Sequence, residues 1–134
     1  MSRKSKGIGA ERELIHKFWA AGWAACRVAG SGAIKYPCPD IIAGNASRRL
    51  AVECKASGDA YQYLEMASVK QLQDFAARFG AEAWFGVRFD KEGWYFVSLE
   101  DLKSSGKAFS FSMDQARSRG LLFEELIIAN RTNN

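Results

Sequence analysis

Apolar and polar positions along the chain follow two periods, and the switches between them mark the elements. Leu14, Ile15, Phe18 and Trp19 recur at helical spacing, which predicts a first helix over residues 9–21, stopped by Gly22. Residues 23–29 read as a strand and 30–37 as a loop of mostly small residues. A short apolar strand over 40–43 and a turn over 45–48 follow. Residues 50–56 then alternate: Leu50, Val52 and Cys54 take one face, Ala51, Glu53 and Lys55 the other. Ser57-Gly58-Asp59 supplies turn chemistry before an aromatic stretch from Tyr61 to Tyr63.

Ser68 and Gln71 have capping-box spacing and predict the start of a second helix. Its apolar stripe is Val69, Leu72, Phe75 and Phe79, and Gly80 ends it. Two strands, 83–89 and 94–99, are joined by Asp90-Lys91-Glu92-Gly93, a hairpin signal. Residues 108–112 predict a further short strand, and 120–129 a terminal helix with Leu122, Leu126 and Ile127 inward. The order α-β-β-β-α-β-β-α predicts an α/β fold in which helices pack on the faces of a mixed sheet. One domain over residues 1–134 is expected, with loose ends at 1–6 and 131–134.

Composition narrows the class. Nine Phe, four Trp and four Tyr in 134 residues are enough for one core. No stretch approaches the length of a membrane span. The opening MSRKSKGIGAERE lacks an apolar signal region, so a cytoplasmic location is expected. Cys26, Cys38 and Cys54 cannot all pair, no CxxC occurs, and His16 is the lone histidine. That argues against a disulfide framework and a zinc site, and reads these residues as structural.

The net charge of +4 is concentrated at the start: residues 1–35 carry seven Lys and Arg against two Glu. Arg3, Lys4, Lys6, Arg12, Lys17, Arg27 and Lys35 make a basic patch of the kind phosphate backbones attract. A solvated tail on an ordinary surface is the alternative.

Three acids and one lysine stand where packing alone would not place them. Glu53 and Lys55 point the same way from a strand that lies within a sheet. They either line a cleft, where a carboxylate holds a hard cation and an ammonium steadies a water or oxyanion, or form a salt bridge on an outer face. Asp40 follows Pro37-Cys38-Pro39 at the mouth of the preceding strand. It is either an ordinary strand-start Asp or one of two carboxylates brought to the same end of the sheet, where a divalent cation would relieve their repulsion. Glu11 lies beside the buried face of the first helix, as a ligand or as a first-turn acid favoured by the helix dipole.

Pro39-Asp40, then Glu53-Cys54-Lys55 after a gap of twelve, resembles the signature of the PD-(D/E)xK nuclease superfamily, the fold of type II restriction enzymes. The surroundings sharpen the likeness. Gly9-Ala10-Glu11-Arg12-Glu13-Leu14, Cys26-Arg27-Val28-Ala29-Gly30-Ser31, Pro39-Asp40-Ile41-Ile42-Ala43-Gly44-Asn45 and Val52-Glu53-Cys54-Lys55 are similar to the archaeal Holliday-junction resolvase family of Hjc type. Val87-Arg88-Phe89 and Gly93-Trp94-Tyr95-Phe96-Val97 extend the resemblance over nearly the whole chain. It implies a restriction-endonuclease-like mixed sheet and a homodimer that binds a four-way DNA junction and cuts it by paired, symmetric nicks. Recombination or replication proteins on the same DNA are further partners it allows. By the resemblance Glu11, Asp40 and Glu53 are ligands for Mg²⁺ (or Mn²⁺), and Lys55 is the catalytic lysine. Ser31 is a loop serine tied to activity, and Arg12, Arg27 and Lys35 contact DNA. The loop Ser31-Gly32-Ala33-Ile34-Lys35-Tyr36 is less basic than some in the family. Two rival readings are a general repair or restriction nuclease of the same superfamily and a non-catalytic DNA-binding module.

Overall fold

A computed structural model describes residues 3–28, 36–57, 61–99, 103–104 and 108–129. Five strands form a mixed sheet in the order β1-β2-β3-β5-β6, from β1 (Ala24–Arg27), β2 (Ile41–Gly44), β3 (Arg49–Ser57), β5 (Glu82–Phe89) and β6 (Gly93–Ser98). Only β3 and β5 run parallel, and the crossover between them carries β4 (Tyr61–Glu65) and α2 (Met66–Phe79). A second sheet, β4-β8-β7, pairs β4 with β8 (Ala108–Ser112) and β7 (Lys103–Ser104). The remaining helices are α1 (Arg3–Ala20), α3 (Met113–Arg119) and α4 (Phe123–Ile128). The restriction-endonuclease-like α/β expectation matches this arrangement of a mixed sheet between helices.

The two faces of the sheet bury separate cores. Ala10, Leu14 and Phe18 of α1 and Phe123 and Leu126 of α4 pack with Ile41, Leu50, Val52, Trp84, Trp94 and Phe96. On the other face Val69, Leu72 and Ala76 of α2 and Ala116 of α3 pack with Ala51, Phe85, Val87, Phe89 and Val97. The alternation along β3 sends Leu50 and Val52 one way and Ala51 the other because successive side chains of a strand face opposite sides.

Several elements differ from the sequence pattern. Helix α1 begins at Arg3, so the backbone of residues 3–6 continues the helix instead of forming a loose arm. Its Trp19, placed on the apolar stripe, is 58% exposed, with its indole nitrogen donating to the Ala25 carbonyl. Helix α2 starts at Met66, not at Ser68, and its cap Glu65 makes no side-chain bond. Strand β4 leads straight into that helix, so Ser68 falls inside the first turn and no capping box forms there. Gly80 does end α2, in the left-handed conformation that a residue lacking Cβ adopts freely. The terminal helix predicted over 120–129 is the shorter α4, and a helix the pattern did not suggest, α3, precedes it. Ser112 and Gln115 close a capping box for α3, and α4 starts only at Phe123, leaving Leu122 outside it and 45% exposed. Phe123 and Leu126 are buried and Ile127 packs partly buried against the same core. His16 and Cys26 are exposed, not packed, and all three cysteines are free. No helix among the described residues is long and apolar enough to cross a membrane.

Candidate active site

A fork in the sheet creates the site. Strands β2 and β3 pair antiparallel from Gly44↔Arg49 to Ile41↔Val52 and then part. Beyond that point β3 continues beside β5 as far as Ser57↔Phe89, while the chain before β2 stays with β1, where Val28 N–H donates to the Asp40 carbonyl at 2.9 Å. Asp40 therefore stands in the crotch of the fork. Its Oδ2 accepts the backbone N–H of Cys54 at 2.9 Å, a donor left without a ladder partner by the departure of β2. Pro39, immediately before it, is buried and anchors the approach.

Glu53 projects into the same opening. Burial, then a side-chain hydrogen bond with Asp40 and the charge of Asp40, push its carboxyl from 4.5 up to about 9, while Lys55 acts the other way. Beside a second carboxyl and largely out of water, Glu53 holds its proton more tightly because its ionised form is costly there. Glu11 reaches the site from α1. Its carboxyl is raised by burial and by the charge of Asp40, against the lowering effect of Arg27, whose Nε donates to Glu11 Oε1 at 3.2 Å. The Cys54 thiol is raised by burial and then by the charges of Asp40, Glu11 and Glu53, so all three acids lie within electrostatic reach of it.

The structure thus brings Glu11, Asp40, Glu53 and Lys55 to one place, with Arg27 held against Glu11. Among the described residues no group of three or more acidic, His or Cys side chains is drawn tightly enough to hold a metal ion as it stands. The nearest approach to a ligand set is the Asp40–Glu53 pair, with Glu11 engaged by Arg27. Arg12 is exposed on the next position of α1. Lys4 and Lys6 lie in α1, with side chains outside the described residues. Ser31 and Lys35 also fall outside them.

A triad that the sequence pattern did not suggest adjoins the site. Glu13 Oε1 accepts Arg88 Nε at 3.1 Å and Trp94 Nε1 at 2.9 Å, tying α1 to β5 and β6. The one signal for it was the place of Glu13 beside Leu14, on a flank of the buried stripe.

Comparison with known proteins agrees with the motif. A family model described as archaeal Holliday junction resolvase (Hjc) matches residues 2–134. The chain belongs to the archaeal Holliday junction resolvase family. The crossover junction endodeoxyribonuclease Hjc of Archaeoglobus fulgidus is 44% identical over 106 residues, covering 79% of this chain and 78% of the relative. The Hjc of Methanocaldococcus jannaschii is 31% identical over 104 residues, or 78% of this chain and 74% of the relative. The solved structure of Archaeoglobus fulgidus Hjc superimposes with a TM-score of 0.83 at 39% identity, covering 87% of this chain and 94% of that one. The forked sheet and its acids are thus the setting of a Hjc-family resolvase.

Proposed function

We propose that this chain resolves four-way DNA junctions by metal-dependent hydrolysis of one phosphodiester on each of two symmetric strands, acting as a homodimer. The observation that carries this reading is the pair of carboxyls at the fork, Asp40 on the Cys54 N–H and Glu53 hydrogen-bonded to Asp40, beside Lys55. Such a pair suits a divalent cation in place of the proton, since hard cations take carboxylate and carbonyl oxygens. Asp40 and Glu53, with the Cys54 carbonyl, would hold Mg²⁺ or Mn²⁺. Glu11 would join them on release from Arg27. Bound there, the cation supplies a water of lowered pKa and neutralises charge on the phosphate.

The chain's own groups do the rest. Lys55, close enough to Glu53 to lower its pKa, orients the attacking water or steadies negative charge on the phosphate oxygens. Arg27, freed as Glu11 turns inward, meets the phosphate that enters the cleft. Arg12 and the basic start of α1 contact the backbone of the same arm. A twofold pair of such sites matches a substrate with twofold symmetry, so junction shape rather than base sequence is what is read. Trp84, Phe85 and Phe123, apolar residues suited by type to a subunit contact, are buried in the chain's own core, so the dimer closes on other surface.

The test uses a synthetic four-way junction, a linear duplex and a flap, each with Mg²⁺ or EDTA. Selective, symmetric cutting of the junction in Mg²⁺ is expected. Equal cutting of all three would favour a general nuclease, and binding without cutting a DNA-binding module. Asp40→Ala or Glu53→Ala should leave junction binding within a few-fold and lower cleavage by on the order of a hundredfold or more. Near wild-type cleavage by either would remove the site assignment.

A further inference from the structure

The two acids that flank the buried stripe of α1 reach opposite sides of the sheet. At about 100° per residue, Glu11 and Glu13 lie on either flank of Ala10, Leu14 and Phe18. Glu11 meets Arg27 of β1, at one edge of the sheet. Glu13 meets Arg88 of β5 and Trp94 of β6, at the other. A helix held by apolar contacts alone can roll about its axis, because burial is not directional. Two polar ties on opposite flanks remove that freedom.

The Glu13 tie makes two hydrogen bonds, one of them to a buried indole. Its indole partner is 4% exposed and stacks on Phe96 with ring centroids 5.7 Å apart and planes 10° apart. Both rings sit over Gly86, where a Cβ would lie 2.9 Å from Phe96 and 3.3 Å from Trp94. Gly86 is the partner of Cys54 on β3, the residue whose N–H holds Asp40. A chain of packed groups therefore runs from the carboxylate of Glu13 through Trp94 and Gly86 to the strand that carries Glu53.

We infer that Glu13 is a positioning residue, whose hydrogen bonds to Trp94 and Arg88 fix the roll of α1 and so keep Glu11 aimed at Asp40 and Glu53. The inference rests on the proposed nuclease site. Its place is needed most when Glu11 leaves Arg27, for then Trp19 still ties the far end of α1 to β1, but Glu13 alone ties the turn that carries Glu11. Displacement of a reacting group by an ångström can cost about a hundredfold in rate.

The experiment compares wild type with Glu13→Ala, Glu13→Gln and Trp94→Phe on the synthetic junction, at saturating protein and across a Mg²⁺ titration. Glu13→Ala is expected to lower the single-turnover rate by about ten- to a hundredfold and to raise the Mg²⁺ concentration for half-maximal rate. Junction affinity should stay within about threefold, since phosphate contacts elsewhere supply it. Glu13→Gln keeps an oxygen for the indole and should recover most of the rate. Trp94→Phe should slow cleavage in wild type but add little in Glu13→Ala, because the two groups form one unit. A Glu13→Ala protein that cuts at the wild-type rate, or a Gln variant no better than Ala, would overturn the role. So would a rate loss that simply tracks a lowered melting temperature. If wild type itself leaves the junction uncut, the nuclease reading fails, and the tie is judged by the indole N–H resonance of Trp94, identified by its loss in Trp94→Phe. A shifted resonance in Glu13→Ala supports the tie, and an unmoved one refutes it.

Discussion

At the scale of single residues, the behaviour of the site follows from the raised carboxyl of Glu53. Unfolded, Glu53 releases its proton near 4.5; folded, burial and Asp40 hold it to about 9. Between those values the folded state binds a proton that the unfolded chain has released. The stabilising contribution is therefore full below 4.5 and lost as pH rises through about 9. Urea unfolding of the metal-free protein across that window should show stability falling with pH, and Glu53→Gln should flatten the slope. Added Mg²⁺ should reverse the trend, because a cation competes with the proton for the same oxygens. A wild-type slope equal to that of Glu53→Gln would mean the pair is not coupled as described. Of the residues here, Asp40, Glu53 and Lys55 were legible in the sequence from motif spacing and strand alternation. The pairing of Glu11 with Arg27 and of Glu13 with Trp94 was not, since each joins positions 16 or 81 apart in the chain.

Elements are held in place by a few buried polar clamps as well as by their apolar faces. Arg48, in the turn between β2 and β3, donates twice to Glu82 at 2.8 and 2.9 Å and once to the Leu126 carbonyl at 2.7 Å, with its guanidinium over the Trp23 ring. Both side chains of the ion pair are about nine-tenths covered. Removing one partner strands the other, so Arg48→Ala should cost about 3–5 kcal/mol in denaturant unfolding. Arg48→Lys should recover little, because an ammonium cannot reproduce the fork. Gly86→Ala places a methyl 2.9 Å from Phe96 and should cost about 1–3 kcal/mol by overpacking, read as a lowered unfolding midpoint. Long periodic elements such as β3, α2 and β5 were legible within a few residues, while α1 starts well before the 9–21 read from its stripe. Of the short ones, β2 and β8 were legible, while β4 was not, because it exists by pairing with β8 far along the chain, Tyr61 with Ser112, and β7 is a two-residue return onto β8. Helix α3 was missed, although Ser112 and Gln115 stand at capping-box spacing and made it readable in principle.

At the scale of the whole molecule, the uneven charge bears on affinity more than on catalysis. Residues 1–35 carry seven Lys and Arg against two Glu, and of these Arg12 and Lys17 lie on α1 and Arg27 on β1. If six to ten phosphates are contacted, junction affinity should fall by about 10³ to 10⁵ between 50 and 200 mM salt. Titrations of a labelled junction at several salt concentrations measure this. A flat response would mean that non-ionic contacts dominate. The same whole-molecule view explains why the acids are tolerated. The sheet splits where they sit, so they face a cleft rather than a packed layer, and the cost of crowding them is borne by rigid strands on both sides.

The amino-acid sequence by itself determined which residue types are available, which strand carries Glu53 and Lys55 on one face, and which family the chain belongs to. These are local matters of spacing and alternation, and they survive without knowledge of the fold. Only the tertiary structure decided that β2 and β3 part after Ile41↔Val52, that Asp40 caps the orphaned N–H of Cys54, and that Glu11 is turned toward Arg27 while Glu13 grips β6. Each of these depends on which strand neighbours which and on how a helix rolls over them. Those choices are settled by burying two apolar faces at once, a global condition that no window of sequence contains.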